Sequence, residues 1–321
     1  MPLRGRLVRV AQSSAAGKER TVQDFADRVA VITGGASGVG FGQAQVFGDL
    51  GCKVAIVDVR QEALETAAEA LRSRGITVHP VRLDIRDREA WERAADDIED
   101  GLGAPASLLF NTAGVNGFGP LEKATYADFD WIMGVNFGGM VNGIQTLLPR
   151  MLAHGAGGHI VSVASMAGFQ GSPSAAIYAA SKAAVINLME SYALTLPEQG
   201  IGVSLLCPAS VRSDIAHTLD RRPAELASGS SFIADERFVE LQRRLYAGGM
   251  DPVELAQHVR DAIVADRFWV LPFPETREGL RAHFDSILAA YDDCVTDPDA
   301  AAERARAFDE YRAQSARLRE S

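Results

Sequence analysis

Tyr178 and Lys182 stand four residues apart in the stretch YAASK. That spacing puts two side chains on one face of a helix, one turn apart. A phenol ionises near pH ~10 and is a poor base at neutrality, but an adjacent ammonium favours the phenolate. Such a pair can act as a base, although Tyr and Lys at this spacing also form ordinary surface pairs. Ser165 closes the run GHIVSVAS, upstream of Tyr178. A strand end followed by a helix can bring the two side chains together, and a serine there can hydrogen-bond an oxygen on which charge develops. Ser165 has no GxSxG flanks and no evident histidine partner, so it does not read as a hydrolase nucleophile. Asn136, in VNFGG, is a poor helix former followed by Gly138 and Gly139; it reads either as a local kink that binds water or as a surface Asn beside a flexible turn.

A second group of residues suits phosphate and ribose. TGGASGVG, residues 33 to 40, joins a β-branched run to a helical pattern. Gly34, Gly38 and Gly40 let the backbone turn tightly and approach a pyrophosphate, and the helix that follows offers free N–H groups and a positive dipole end. Asp58 ends the next run about twenty residues on, where a carboxylate can accept from both hydroxyls of an adenosine ribose and repel a 2′-phosphate. No Arg or Lys occupies Gly35, Ala36 or Ser37, although Arg60 is close by. The reading is therefore NAD rather than NADP. A bound oxidised nicotinamide would add its own positive charge in favour of a phenolate. Asp84, in LDIRD, is expected beside the adenine, and the turn Asn111–Gly114, NTAG, along the cofactor.

These residues need a scaffold, and the hydrophobic pattern supplies one. Short continuous apolar runs recur at 29–33, 53–58, 77–84, 106–111, 158–165, 202–208 and 268–272, as strands buried on both faces require. Helical patterns lie between them, among them Gly38–Leu50, Gln61–Arg74, Arg86–Glu99, Tyr126–Leu152 and Ala175–Gln199. The alternation predicts an α/β fold of Rossmann type, a doubly wound parallel sheet with helices on both faces and ligands outside the carboxyl ends of its strands. Residues 25–273 are expected to form this catalytic domain. Within it, the long polar insert 212–249 reads as a lid. Residues 274–321 read as a helical extension that caps the substrate edge, caps a neighbouring subunit, or lies solvated. Residues 1–24, basic apart from Glu19 and Asp24, read as a disordered leader without the apolar run of a secretory signal.

Composition narrows the function classes. The 321 residues carry a net charge of -10 and no basic run in the body of the chain, which argues against nucleic acid as a partner. No apolar stretch reaches the ~18 residues of a membrane span. Three scattered cysteines, Cys52, Cys207 and Cys294, form neither a disulfide framework nor a CxxC pair, and with six histidines no metal site is expected. A reducing cytoplasm fits.

Taken in order, TGGASGVG, Asp58, Asp84, NTAG, Asn136, Ser165 and YAASK resemble the short-chain dehydrogenase/reductase family over about Phe25 to Leu271. The resemblance implies that Tyr178 is the general base, that Lys182 lowers its pKa and binds the nicotinamide ribose, that Ser165 positions the substrate oxygen, and that Asn136 holds a proton-relaying water. It also implies cofactor contacts from Ser37, Val39, Val59, Ile85, Ala113, Pro208, Val211 and Ser213, besides the residues above. Two departures stand out: Thr112 where the family has a second Asn, and Ala209 where it has Gly after Pro208. Family members are commonly dimers or tetramers, so a homodimer or homotetramer is expected; Tyr126–Leu152 and Ala175–Gln199 carry apolar positions beyond what one sheet face needs.

Three stretches, ITGGASGVGFGQAQVFGDLG, FNTAGVNGFGPLEKATYADFDWIMGVN and LPFPETREGLRAHF, further resemble the Cα-dehydrogenases of bacterial lignin β-aryl ether breakdown. That resemblance implies NAD-dependent oxidation of a benzylic alcohol to an aryl ketone. Phe118, Phe169, Phe232 and Phe273 are then candidate substrate walls, though ordinary core positions explain them as well. Other readings are a dehydrogenase or reductase of a small alcohol, sterol or polyketide, and a catalytically silent NAD-binding regulator.

Overall fold

The computed structural model describes residues 22–213, 215, 218, 222–227, 230–292 and 294–317. Most of the expected leader lies outside them. Val22, within that leader, is buried beside Phe25 in the same core cluster, so packing begins ahead of residue 25. The chain divides into two compact units, Met1–Phe273 and Pro274–Ser321.

Seven strands build the first unit: β1 Val29–Thr33, β2 Lys53–Asp58, β3 Val78–Arg82, β4 Leu108–Asn111, β5 Gly158–Val163, β6 Ile201–Leu206 and β7 Trp269–Val270. All pair in parallel, in the order β3-β2-β1-β4-β5-β6-β7. This is the doubly wound sheet expected from the apolar runs. Alternate residues of each strand feed opposite cores: Val29 and Val31 enter one, Ala30 and Ile32 the other. Parallel strands buried on both faces need apolar side chains at every position. The strand order reverses between β1 and β4, and there a crevice opens at the carboxyl ends.

On one face lie α1 Gly38–Asp49, α2 Gln61–Ser73 and α9 Pro252–Val264; on the other lie α3 Arg88–Leu102, α5 Met140–His154 and α6 Ala176–Thr195. The helix expected over Tyr126–Leu152 is interrupted. It comprises α4 Tyr126–Met133, a π-helical segment Gly134–Gly139, then α5. The kink expected at Asn136 is thus a widened turn, which three glycines and an asparagine accommodate. The insert after β6 carries α7 Ala224–Ala227 and α8 Glu236–Ala247; the second unit carries α10 Arg277–Ala289 and α11 Pro298–Arg317. Among the described residues no helix is long and apolar enough to cross a membrane, and no group of His, Cys, Asp or Glu could hold a metal ion.

Candidate active site

One cavity runs along the carboxyl edge of the sheet. The glycine turn, Asp58, Asp84, Ser165, Tyr178 and Lys182 all line it. So do the other residues expected to contact a cofactor, namely Ser37, Val39, Val59, Ile85, Ala113, Gly114, Pro208, Val211 and Ser213. Asn111 and Asn136 do not.

The dinucleotide end follows from backbone geometry. Gly34 and Gly38 have φ of +67° and +51°, a region that favours glycine. A Cβ on Gly34 would lie 2.9 Å from the Ala113 Cα, and one on Gly40 only 2.3 Å from the Gly34 carbonyl oxygen. The Ser37 side chain makes no cap to α1, leaving the first N–H groups of that helix to an anion. Thr33 ties this turn to the next strand: its Oγ1 accepts from the amides of Thr112 (2.9 Å) and Ala113 (3.1 Å). Thr112, the departure from the family pattern, donates to Gln43 Oε1 at 2.6 Å and so joins the β4 turn to α1. Asn111 turns inward and donates to Ser162 Oγ at 3.2 Å. That bond ties the end of β4 to β5.

Asp58 is buried at the end of β2. Arg60 forks onto it through Nε and Nη2, each at 3.0 Å, and Nη2 also donates to Ser37 Oγ at 2.8 Å. The same arrangement recurs after β3, where Arg86 forks onto Asp84. Burial pushes the Asp84 carboxyl up, but the hydrogen bonds and charge of Arg86 outweigh it and hold the pKa below the usual range. Both arginines line the cavity. The repeated Asp-x-Arg after consecutive strands was a signal available in the sequence. A crevice with a glycine cradle, a free helix N-terminus and a buried carboxylate at the second strand fits a dinucleotide.

At the other end, α6 carries Tyr178 and Lys182, both buried. Lys182 Nζ lies 5.6 Å from the centre of the Tyr178 ring and donates to the Val163 carbonyl at 2.7 Å. Burial lowers its pKa to about 8. The expectation that the phenol is shifted downward is reversed for the protein's own groups. Burial raises the Tyr178 pKa, the nearby Tyr246 phenol adds to the rise, and the Ser165 hydroxyl opposes it. Desolvation of a phenolate outweighs one hydrogen bond, so a further positive charge is needed to bring the base into range. Ser165 accepts from the Ala167 amide at 3.1 Å, which fixes it at the end of β5. Asn136 uses its side chain structurally: Nδ2 donates to Val115 O and Ser181 Oγ, and Oδ1 accepts from Val115 N at 2.8 Å. It thereby clamps the loop after Gly114 to α6.

None of the four expected phenylalanine walls lines the cavity. Phe118 and Phe232 pack in a cluster behind Tyr178, Phe169 packs against Trp269 at 5.8 Å, and Phe273 lies in the core on the α9 side. Rings without a polar handle go where most apolar area is removed from water. The walls at the reacting end are instead Val115, Trp131, Val135, Ile215, Pro223 and Tyr246. Long-range packing of the insert places the last three, and no local pattern announces it.

The insert is held by a buried ion pair. Asp128, with no exposed surface, accepts from Thr125, Ser230 and Arg222, and the Arg222 guanidinium lies 5.4 Å over the Trp131 ring. Burial raises the Asp128 pKa, but these hydrogen bonds more than reverse it. A depressed carboxylate stabilises the fold above its unfolded pKa, and that stability is lost as pH falls through the folded value. Asp128→Asn is therefore expected to lower stability by about 3 kcal/mol at pH ~7. In thermal melts the difference from wild type should shrink below pH ~4; a constant difference would remove the ionic account.

The sequence matches the family described as short chain dehydrogenase over residues 28–224. It is 48% identical over 287 residues to a C alpha-dehydrogenase of Sphingobium sp., covering 89% of this chain and 94% of that protein. Among solved structures, the apo form of LigD from Sphingobium sp. superposes with a TM-score of 0.71 at 46% identity, covering 85% of this chain and 100% of that one. A short chain dehydrogenase/reductase from Burkholderia phymatum, in complex with NAD, gives 0.77 at 33% identity, covering 86% and 98%.

Proposed function

Because the chain belongs to the short chain dehydrogenase family, we propose that it oxidises a benzylic or aryl secondary alcohol to the ketone with NAD, the leading substrate being the Cα-hydroxyl of a lignin-derived β-aryl ether. One observation carries the reaction: Ser165, Tyr178 and Lys182 converge on one end of a cavity whose other end presents the glycine turn and Asp58. The 48% identity to a C alpha-dehydrogenase, which spans 94% of that protein, supports the substrate class; the NAD complex of a structural neighbour and the buried Asp58 support the cofactor.

In this reading Ser165 donates to the alcohol oxygen and holds it beside the Tyr178 hydroxyl. Tyr178 as phenolate takes the hydroxyl proton while the carbinol hydride departs, leaving the carbonyl. NAD, when bound, accepts that hydride, and its positive ring favours the phenolate. Lys182 adds a second positive charge and a donor for the nicotinamide ribose. Asn136 acts by position, holding Val115 against the helix that carries the base. Asp58 binds the adenosine ribose, with Arg60 yielding at least one carboxylate oxygen.

The test is absorbance in the reduced-nicotinamide band with NAD or NADP and three alcohols: a guaiacylglycerol β-aryl ether, a simple arylethanol and a non-aromatic secondary alcohol. Strong NAD-dependent turnover of the ether over the other two is the expected result. Turnover of the simple alcohols alone would keep the dehydrogenase and discard the ether; no turnover of any would overturn the reading.

A further inference from the structure

The reacting end of the cavity is mostly apolar, built from Val115, Trp131, Val135, Ile215 and Pro223. Among the described residues, apart from Ser165 and Tyr178, two hydroxyl groups line it there, those of Thr218 and Tyr246. Thr218 Oγ1 is committed to the backbone. It accepts from the Asn116 amide at 2.9 Å and lies within donating distance of the Asn116 and Ile215 carbonyls, at 2.9 and 2.8 Å. Tyr246 is different. Its ring packs in the same cluster as Tyr178, Ile177, Phe118 and Phe232, and the two phenols are near enough for each other's charge to be felt.

Tyr246 is also held in place, although it belongs to the insert. It occupies the last turn of α8. Ser210 Oγ donates to the Leu245 carbonyl at 2.8 Å, and a short parallel bridge joins Val211 to Met250. A Cβ on Gly249 would meet the Ser210 carbonyl carbon and the Val211 nitrogen at 2.7 Å, so this end of α8 lies tight against the segment after β6. Asn116, whose backbone amide and carbonyl Thr218 holds, lies beside the Tyr246 phenol and opposes the rise in pKa that burial gives it. Tyr246 lines the cavity, where its hydroxyl can donate to a ligand oxygen.

We propose that Tyr246 is a specificity-determining residue whose hydroxyl donates to a second oxygen of the substrate, an ether or hydroxyl oxygen close to the carbon being oxidised. This rests on the alcohol-oxidation reading above and narrows it to oxygenated alcohols. A purely hydrocarbon side arm would leave the Tyr246 hydroxyl, and the water removed from it, uncompensated.

The experiment compares two alcohols that differ by one group: a phenoxy-substituted phenylethanol, and the isostere in which CH2 replaces the ether oxygen. Wild type and Tyr246→Phe are assayed with NAD, and the ratio of kcat/KM for the ether over its isostere is read. Loss of one neutral hydrogen bond should lower that ratio about tenfold, through KM for the ether rather than kcat. A structural role would lower both alcohols together and leave the ratio unchanged, which would overturn the proposal. If wild type oxidises neither alcohol, the reading on which it rests fails as well; oxidation of both with equal ratios in the two proteins overturns this inference alone.

Discussion

Tyr178→Phe is expected to lower kcat/KM by at least about a thousandfold, the order that a positioned general base contributes, with dinucleotide binding largely intact. The ring stays, so the cluster of Phe118, Trp131, Ile177 and Phe232 around it keeps its packing. What is lost is a single hydroxyl, buried and raised in pKa by that burial. The pH profile adds a second readout. Oxidation by the wild type should rise with pH as the phenol gains ionised character. It should level or fall as Lys182 gives up its proton above about 8, because the ammonium that favours the phenolate is then lost. In the variant the rising limb should disappear. Retention of more than about a tenth of the wild-type rate, with the limb intact, would remove Tyr178 from the role of base.

Asp58→Ala should invert cofactor preference. Two interactions change together. The ribose hydroxyls lose a charged acceptor, which weakens NAD by roughly ten- to a hundredfold. Arg60, released from its fork on Asp58, keeps its hydrogen bond to Ser37 and presents its guanidinium to the same place, where a 2′-phosphate would lie. The combined swing in the ratio of kcat/KM for NAD over NADP is on the order of a thousandfold. Arg60→Ala in the same background should take back the part owed to the phosphate. An unchanged preference in Asp58→Ala would remove the ribose assignment.

Much of this was legible in the sequence. The seven apolar runs became the seven strands because burial on both faces leaves no choice of side chain, and the glycine turn and YAASK landed on one cavity because parallel strands bring all carboxyl ends to one edge. Strand ends were less legible: residues 77–84 read as one run, yet β3 is Val78–Arg82, and beyond it Arg86 holds Asp84 in a turn. The four phenylalanines were misplaced as walls because aromatic residues serve core and pocket alike and composition cannot separate the two. Trp131 and Tyr246 were missed for a related reason. Each reaches the cavity through contacts between segments far apart in the chain, Arg222 with Asp128 and Asn116 with Thr218, and local periodicity does not encode these. The resting pKa of Tyr178 was also out of reach, since burial rather than the Lys182 spacing decides it.

The widened turn at Gly134–Gly139 has a genetic consequence. A π-helical segment is an α-helix carrying one extra residue. Here that residue lets Asn136 hold Val115 and Ser181 at once. Removing a single codon from this stretch would close the widened turn into regular α winding with α4 and α5 still in phase, but would take Asn136 off the position from which it reaches Val115 and Ser181. Asp128 and Trp131 would keep facing the insert and Met140 and Ile144 the core, so the loss would fall on the loop after Gly114 that Asn136 clamps. The segment GVNFGG has the composition of a linker that tolerates length change. In this protein it should be among the places where a deletion does more harm than a substitution, and where lineages diverging in substrate keep the residue count while exchanging residues of the insert.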